Sequence, residues 1–338
     1  MPPTIYDVAR KAKVSVATVS RVLNNKGGVG KETQQLILDL INELNYVPRT
    51  IINKRNNISI LVPPRTHFFS SYFISDVLSG VSDVFFNASY NLVFLPIDSP
   101  TIDHFELIRA LKSEHSVGAI FLYSIIRYNH ILKLAEQGFP HVVIGSSFDE
   151  KQINWVDSDN IQGAMIGVNH LISYGHRRIG FIIPPLKYSA HADRLKGYKL
   201  ALEEHGLEID EKLILETEGT KSQDGYNSVM ELLSMKKKPT AIFAGNDNIA
   251  LGVYNCIQEM GMMIPDNISV IGFDDYEIVS YLNPPLTTIR QLRYELGKIA
   301  AEYLLESIKG NAEKPFHRKI KTRLIIRSST MPIKEGEK

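Results

Sequence analysis

Apolar residues recur every three or four positions in three stretches of the first 45 residues, which predicts three short helices. The first helix opens after Thr4, where Asp7 three residues later gives the shape of a capping box. The second opens after Ser15, a good capping residue, and the third spans 31–45. The positions predicted to face inward are Ile5, Val8, Ala9 and Ala12, then Val19, Val22 and Leu23, then Leu36, Ile37, Leu40, Ile41 and Leu44.

The second of these helices carries the candidate chemistry of the segment. Its outward positions are Val16, Ala17, Thr18, Ser20 and Arg21. Two short helices at this spacing are typical of a helix-turn-helix, in which the start of the second helix lies against base edges in the major groove. An ordinary amphipathic hairpin has the same spacing, so the spacing by itself leaves both interpretations open.

The charge distribution favours the DNA-binding interpretation. Up to Arg55 there are nine Lys and Arg residues against four Asp and Glu, a net charge of +5. The remaining chain has 29 basic and 33 acidic residues, a net charge of −4. A positive head on a mildly acidic body is the electrostatic pattern expected of a protein that contacts the phosphate backbone.

From Ile58 onwards the pattern changes to buried strands alternating with amphipathic helices. The predicted strands are 58–62, 92–95, 117–122, 141–144, 179–183, 213–215, 241–243 and 269–273. The predicted helices are 74–86, 105–111, 161–174, 194–205, 226–233 and 249–260. Such alternation indicates an α/β body of two similar lobes with parallel sheets, whose ligand is expected in a cleft at the carboxyl ends of the strands.

Other function classes find little support. The ten histidines lack metal-ligand spacing, no nucleophile elbow or dinucleotide fingerprint is present, and Cys256 is the single cysteine. We therefore expect no enzyme, no metal and no cofactor. There is no apolar run of membrane-spanning length and no apolar signal core, so we expect a cytoplasmic protein without a membrane partner. The C-terminal end carries no leucine heptad that would indicate a coiled-coil tetramer.

Motifs along nearly the whole chain resemble those of the lactose/galactose repressor (LacI/GalR) family of bacterial transcription regulators. In the head these motifs are 5–9, 14–24 and 44–48. In the body they are 159–164, 175–179, 194–198, 239–247, 269–275 and 284–289. The resemblance implies a helix-turn-helix head, a body similar to a periplasmic sugar-binding protein, and a homodimer that binds a palindromic operator on double-stranded DNA.

The resemblance also implies domain boundaries. The DNA-binding head is expected at 1–48, a short hinge at 49–57, the effector-binding and dimerisation body at 58–330 and a tail at 331–338. The chain is expected to cross between the lobes three times. Lobe one is then about 58–157 with 287–316, and lobe two about 158–286 with 317–330.

By family position, Val16, Ala17 and Arg21 are expected to read bases. Arginine donates two bonds to guanine, whereas valine and alanine offer only apolar contact, for instance to a thymine methyl group. Phosphate contacts, which fix register without specifying sequence, are expected of five residues. These are Ser15, Thr18, Ser20, Asn24 and Tyr46, and Thr4 and Tyr6 complete the predicted DNA-binding set.

One departure from the family pattern concerns the hinge. Family members usually carry a segment that folds into a hinge helix on the operator and inserts a leucine into the minor groove. Residues 48–57 are several residues shorter than that segment and contain no leucine. Either Ile51 or Ile52 takes the place of the leucine, or the hinge never becomes helical.

The resemblance places the effector site on Arg194, Asn246 and Asp274, with Phe73 offering a ring and Tyr72, Tyr123 and Phe148 as weaker aromatic candidates. Sugar recognition needs planar bidentate groups for vicinal hydroxyls and an aromatic face for the ring. Each residue also has a structural alternative, as a helix cap for Asn246 or Asp274, a surface ion pair for Arg194 and a core position for the aromatics.

The predicted function is therefore repression of carbohydrate-utilisation genes, relieved by a small sugar-like effector. The alternative is a catabolite-control regulator that uses a phosphorylated carrier protein as corepressor. Such relatives tend to lack the arginine and asparagine present here as Arg194 and Asn246, which favours the small effector.

Overall fold

The computed structural model of the chain describes residues 3–23, 26–44, 46, 56–62, 71–97, 103–122 and 129–333. It divides into two compact units, a small head up to Asn56 and a body from Asn57. Most of the predicted hinge, residues 49–55, and the tail beyond 333 lie outside the described residues. No helix within the described ranges combines the length and apolarity of a membrane-spanning segment.

The head consists of three helices, α1 (Ile5–Ala12), α2 (Val16–Leu23) and α3 (Lys31–Glu43). At the start of α1 the Asp7 carboxylate accepts hydrogen bonds from the Thr4 amide at 2.9 Å and the Thr4 hydroxyl at 2.6 Å. Lys13 ends α1 in the left-handed region at φ 54°, and Ser15 Oγ accepts the Thr18 amide at 3.1 Å to open α2. These local signals produce the predicted helix-turn-helix.

The head core confirms most of the predicted inward positions. Its buried residues are Val8, Ala9, Ala12, Val19, Val22, Ile37, Leu40, Ile41 and Tyr46. Leu36 was wrongly predicted to be among them, because its side chain is 47% exposed. It lies about 100° around the helix from Ile37, at the rim of the apolar stripe.

The first body sheet is parallel throughout, in the strand order β11-β5-β4-β3-β1-β2. Its strands are β1 (Asn57–Val62), β2 (Asn91–Pro96), β3 (Ser116–Leu122), β4 (His141–Ile144), β5 (Trp155–Ser158) and β11 (His317–Ile320). The helices of this lobe are α4 (Tyr72–Asn87), α5 (His104–Ser113), α6 (Asn129–Glu136) and α11 (Arg293–Lys309). The pattern did not predict β5, α6, α11 or β11.

The second sheet has the order β12-β10-β9-β8-β6-β7, with only β12 antiparallel. Its strands are β6 (Ile179–Ile183), β7 (Ile214–Glu216), β8 (Ala241–Ala244), β9 (Ser269–Asp274), β10 (Thr287–Arg290) and β12 (Arg323–Ile325). The helices of this lobe are α7 (Asn160–Ser173), α8 (Ser189–Glu204), α9 (Ser222–Ser234) and α10 (Asp247–Glu259). The predicted α/β fold of two parallel-sheet lobes with a helix-turn-helix head is therefore confirmed.

The strand pairing corrects the predicted lobe boundaries. Residues 287–290 pair with β9 and so belong to the second sheet, whereas 317–320 pair with β5 and belong to the first. The chain thus passes between the sheets after β5, after β10 and after β11. Residues 331–333 also belong to the body, since the Ile333 amide donates to the Tyr174 carbonyl at 2.8 Å. Both boundary errors arise because sheet membership depends on partners distant in sequence.

Helices α4 and α11 cross at two glycines. A Cβ on Gly80 would lie 2.1 Å from the Tyr294 carbonyl oxygen, and a Cβ on Gly297 would lie 2.0 Å from that of Val77. Neither distance is compatible with a side chain, so the two backbones pack at a separation that only glycine permits. This crossing fixes α11 to the first lobe.

Candidate effector site and DNA-binding surface

The predicted DNA-binding residues are mostly accessible on the head. Thr4, Tyr6, Ser15, Ala17 and Arg21 are exposed, with Tyr6 at 66%. Val16, Thr18 and Ser20 are partly buried, and Val16 packs against the head core. Asn24 lies outside the described residues.

Tyr46 has a structural role in the head. Only 8% of the residue is exposed, and its amide donates to the Ile41 carbonyl at 2.9 Å. Its ring is therefore part of the core that holds the three helices together. A phosphate contact through Tyr46 stays a prediction, whereas its packing role is plain.

The body site is organised around the Arg194 guanidinium on α8. Arg194 Nε donates to Asn160 Oδ1 at 3.0 Å, and Nη1 donates to the Gly245 carbonyl at 2.6 Å. The guanidinium carbon lies 3.8 Å from the centroid of the Phe273 ring, and Nη2 lies 3.7 Å from Asp274 Oδ1. Arg194 is buried, so it is not the surface ion pair of the structural alternative.

The strand that carries Asp274 ends in an unusual turn. Asp274 and Asp275 have φ values of 124° and 56°, in the region that favours glycine. Side chains at the end of β10 and directly after it hold this turn, since Arg290 Nε donates to Asp275 and Gln291 Nε2 donates to Asp274 Oδ1. Non-glycine residues persist in such conformations only when their surroundings fix them, and they cluster at ligand sites. Asp274 Oδ1 therefore accepts from Gln291 and lies beside Arg194, whereas the following 3-10 turn begins after Tyr276.

Asn246 does cap a helix. Its Oδ1 accepts the Ile249 amide at 2.8 Å and opens α10, as the structural alternative predicted. The next residue, Asp247, is fully buried, and its carboxylate accepts the Thr288 hydroxyl at 2.7 Å and the Tyr276 amide at 2.8 Å. Burial, and secondarily the Asp274 carboxylate, raise the pKa of Asp247 well above its usual range.

Several buried polar residues near the ends of β5 and β11, among them the Arg194 partner Asn160, were missed by the sequence analysis. Asn160 donates from Nδ2 to Asp157 at 3.2 Å while its Oδ1 accepts from Arg194, so it orients the guanidinium. Burial raises the pKa of Asp157 to about 7. The hydroxyls of Ser158 and Thr322 are buried without a hydrogen-bond partner among the described residues. The available signal was a polar cluster directly after a buried strand.

The aromatic candidates are divided between core and surface. Phe73 is 5% exposed and belongs to the core of the first lobe, and Phe148 is also buried. Tyr72 is 51% exposed, and its ring lies 5.0 Å from that of Tyr276 in the second lobe. Tyr123 and the loop 63–70 lie outside the described residues.

Comparison with known proteins identifies the family. Residues 4–49 match the model of the bacterial regulatory proteins of the lacI family, and residues 168–330 match that of a periplasmic binding protein-like domain. The chain is 33% identical over 310 residues to Catabolite control protein A of Priestia megaterium, covering 90% of this chain and 92% of that protein. The chain belongs to the lacI family.

Two solved structures resemble this lacI-family chain over nearly its full length. A complex of the transcriptional regulator CelR with cellobiose is 30% identical with a TM-score of 0.75, covering 97% of this chain and 99% of that chain. A Lac repressor dimer bound to operator and an anti-inducer is 25% identical with a TM-score of 0.81, covering 98% and 100%.

The family assignment settles the general function. This lacI-family protein is a DNA-binding transcription regulator with a ligand-binding domain, as the resemblance predicted. Of the four predicted effector residues, the structure brings Arg194 and Asp274 together, with Asn246 directly following the carbonyl that Arg194 binds. It places Phe73 in the core of the first lobe.

Proposed function

We propose that this protein is a repressor of carbohydrate-utilisation genes whose operator binding is controlled by a small sugar-like effector between the lobes. The observation that carries the proposal is the buried Arg194 guanidinium, fixed by Asn160 and Gly245 beside the Asp274 carboxylate. A planar donor and a carboxylate held side by side suit two neighbouring hydroxyls of one ligand. The protein would act by binding and not by catalysis.

The charge balance of the site favours a neutral ligand. Arg194 and Asp274 both have side chains only 6% exposed, and they neutralise each other. An anionic effector would have to displace Asp274 from the arginine, whereas a polyol would need only hydroxyl exchanges with groups already in place. The similar CelR structure contains a neutral disaccharide, which supports the same class of ligand.

The effector must be recognised mainly by groups at the carboxyl ends of the second sheet. Asp274 ends β9, Asn246 follows β8 directly, and Arg194 is on the helix after β6. Ligands of α/β folds bind at this edge because the loops there converge. The hydroxyls of Ser158 and Thr322, buried without a partner among the described residues, would supply further hydrogen bonds, because buried polar groups are rarely left unsatisfied.

On the DNA side, we propose that two heads of a homodimer read the halves of a palindromic operator. Arg21 would donate to guanine, and Val16 and Ala17 would contact apolar base surface. The phosphate contacts would come from the five residues predicted for them in the sequence analysis. The Lac repressor structure, similar over 98% of this chain, is a dimer on operator. Ile278 and Tyr281, 43% and 73% exposed on one short turn, offer apolar surface for a second subunit.

A second candidate function is that of a catabolite-control regulator with a phosphorylated carrier protein as corepressor. The identity to Catabolite control protein A favours it. The buried polar groups around Arg194 favour the small effector, because a protein partner that binds on the surface does not need a buried guanidinium donor.

The test is the melting temperature of the purified protein against mono- and disaccharides, sugar phosphates and nucleosides. A ligand that binds only the folded state, at a hundred times its Kd, adds about 2.7 kcal/mol of stability. We expect a clear upward shift with a neutral sugar, followed by release of operator when that sugar is added. If no sugar shifts the melting temperature while a phosphorylated carrier protein increases operator affinity, the second candidate is correct.

A further inference from the structure

Arg293 contacts both lobes of the body. It opens α11, which packs on the first lobe, and its Nε donates to Asp76 Oδ2 on α4 at 2.8 Å. Its Nη1 donates to the Asp274 carbonyl oxygen at the end of β9 in the second lobe. Its guanidinium carbon lies 5.1 Å from the centroid of the Tyr276 ring, also in the second lobe. One side chain therefore bonds elements of both sheets.

A second contact joins the lobes at the same turn. The rings of Tyr72 on α4 and Tyr276 lie 5.0 Å apart at an interplanar angle of 41°. Tyr276 is thus in contact with Tyr72 from α4 and with Arg293 from α11, and it is only 5% exposed. The contacts that Tyr72 and Arg293 make with the second lobe therefore both fall on the short segment 274–276.

The same segment forms part of the proposed effector site. Arg194 lies against the carboxylate of Asp274, while Arg293 binds the carbonyl of the same residue. The carboxylate and the carbonyl of Asp274 are separated by few bonds, and its φ of 124° is unusual for a residue other than glycine. A backbone rotation at Asp274 that improves the contact with Arg194 therefore disturbs the contact with Arg293. Asp274 therefore links the groups around Arg194 to α4 and α11.

Asp76 determines where the guanidinium points. The Arg293 side chain is 11% exposed and that of Asp76 is 45% exposed, so the pair lies at the border between buried and solvated surface. An arginine that binds a carboxylate through one nitrogen and a carbonyl through another has little rotational freedom left. Without Asp76 the side chain would keep its charge but lose its orientation toward the second lobe.

We propose that Arg293, oriented by Asp76, is a latch that holds the two lobes together and couples the conformation of Asp274 to the first lobe. The latch follows from contacts that are independent of any ligand, and only its role in signalling rests on the proposed function. Arg293 and Asp76 are positioning residues in this scheme. The effector changes the Asp274 carboxylate, and the latch conveys that change to α4 and α11.

The experiment measures the distance between the lobes in the full-length protein by double electron–electron resonance. Nitroxide labels are attached through Glu106→Cys on α5 and Glu231→Cys on α9, both exposed positions, with Cys256→Ala to remove the native thiol. Labelled chains are diluted with unlabelled chains, so that only distances within one chain contribute. In this background we compare Arg293→Met, Asp76→Ala and Tyr72→Ala.

A matched control is available at the next residue of α11. The Tyr294 hydroxyl donates to Asp83 Oδ2 at 2.7 Å, which also joins α11 to α4 but stays within the first lobe. Asp83→Ala therefore removes a contact between the same two helices without touching the second lobe. We expect its distance distribution to equal that of the parent protein.

For Arg293→Met and Asp76→Ala we expect the fraction of long distances to rise at least twofold, with a smaller rise for Tyr72→Ala. Distributions equal to the parent in folded Arg293→Met and Asp76→Ala would overturn the latch. If Arg293→Met fails to fold, the half-exposed Asp76 position still decides the question. Failure of every compound in the melting panel would refute the proposed effector function but leave this distance measurement valid.

Discussion

The Arg194 guanidinium lies 3.8 Å from the centroid of the Phe273 ring, the residue directly before the aspartate with which Arg194 pairs. Stacking and pairing thus come from two consecutive residues at the end of one strand. A guanidinium fixed on an aromatic face keeps its planar donor geometry, so little conformational entropy remains to be lost when a ligand binds. The side chains of the proposed effector site are therefore already held in fixed positions by the protein itself.

Replacement of this arginine should separate ligand response from DNA binding. In Arg194→Ala we expect the effector-induced melting shift to disappear, while operator affinity without effector changes less than threefold. The reason is that each hydrogen bond from a charged group to the ligand contributes about 1.5–3 kcal/mol, whereas the protein contacts of Arg194 lie within the body and not in the DNA-binding head. Fluorescence anisotropy on operator DNA, with and without the effector, measures both quantities.

Two further variants serve as controls for Arg194→Ala. Removing Arg194 leaves Asp274 buried without its cation, so the double variant Arg194→Ala/Asp274→Asn tests whether lost stability explains the result. Arg178→Ala removes a more exposed pair with Asp210 and should leave ligand response unchanged. Equal loss of ligand response and operator affinity in the Arg194 variants would contradict the assignment of the site.

A separate prediction concerns base recognition by Arg21, which is exposed near the end of α2. Arg21→Ala should weaken operator binding by about 1–3 kcal/mol and relax the preference at one base position in each half-site. Lys26→Ala, which removes an exposed charge in the following loop, should weaken binding similarly on all sequences and reduce its salt dependence. Binding to a library of operators with single-base changes distinguishes them, and an unchanged preference in Arg21→Ala would refute base reading.

Acid should destabilise the body partly through His191. Burial, and secondarily the nearby Arg194 charge, lower the pKa of His191 to about 3, and its Nδ1 lies 2.9 Å from the Pro185 carbonyl oxygen. The unfolded chain binds a proton near pH 6.5 and the folded chain does not, so stability falls as the pH decreases from about 6.5 toward 3. This one group accounts for about 2 kcal/mol of stability lost between pH 7 and pH 5.

The measurement is urea unfolding of His191→Gln and of the parent protein at pH 7 and pH 5. The variant should lose about 2 kcal/mol less between the two pH values, whatever its stability at pH 7. Asp157 has a raised pKa, so its contribution to the pH dependence of stability has the opposite sign. That contribution cancels in the comparison, because both proteins contain Asp157. The same loss in variant and parent would show that His191 is not held neutral.

The crossing of α4 and α11 predicts a steric effect at Gly297. Alanine is normally favoured over glycine inside a helix by about 1 kcal/mol. Here the added Cβ would meet the Val77 carbonyl at 2.0 Å, so Gly297→Ala should instead destabilise the body by about 1–3 kcal/mol. In the control Gly167→Ala the nearest atom is the end of the Ile271 side chain at 3.3 Å, and the change should be much smaller. Equal effects in thermal unfolding would contradict the crossing.

Local signals in the sequence were sufficient for the head and for much of the order of elements in the body. The apolar period from Val8 to Ile41, the caps at Thr4 and Ser15 and the alternation after Ile58 depend on neighbours within a few residues, so they are readable from the chain itself. The charge contrast between head and body is likewise a property of composition. Helix α11 was not predicted, because Gly297 and the two tyrosines in it weaken the periodic pattern of apolar positions.

Relationships between distant residues were decided by the tertiary structure. Residues 287–290 and 317–320 exchange sheets relative to the prediction because a strand belongs to whichever edge it pairs with. Tyr46 became a core residue because α3 ends beside it. Arg194 and Asp274 are 80 positions apart, and Asp76 and Arg293 are 217 apart, so only folding brings their charges together. The sequence by itself determined the head and most of the elements of the body, whereas packing alone determined which polar groups are buried, paired and shared between the lobes.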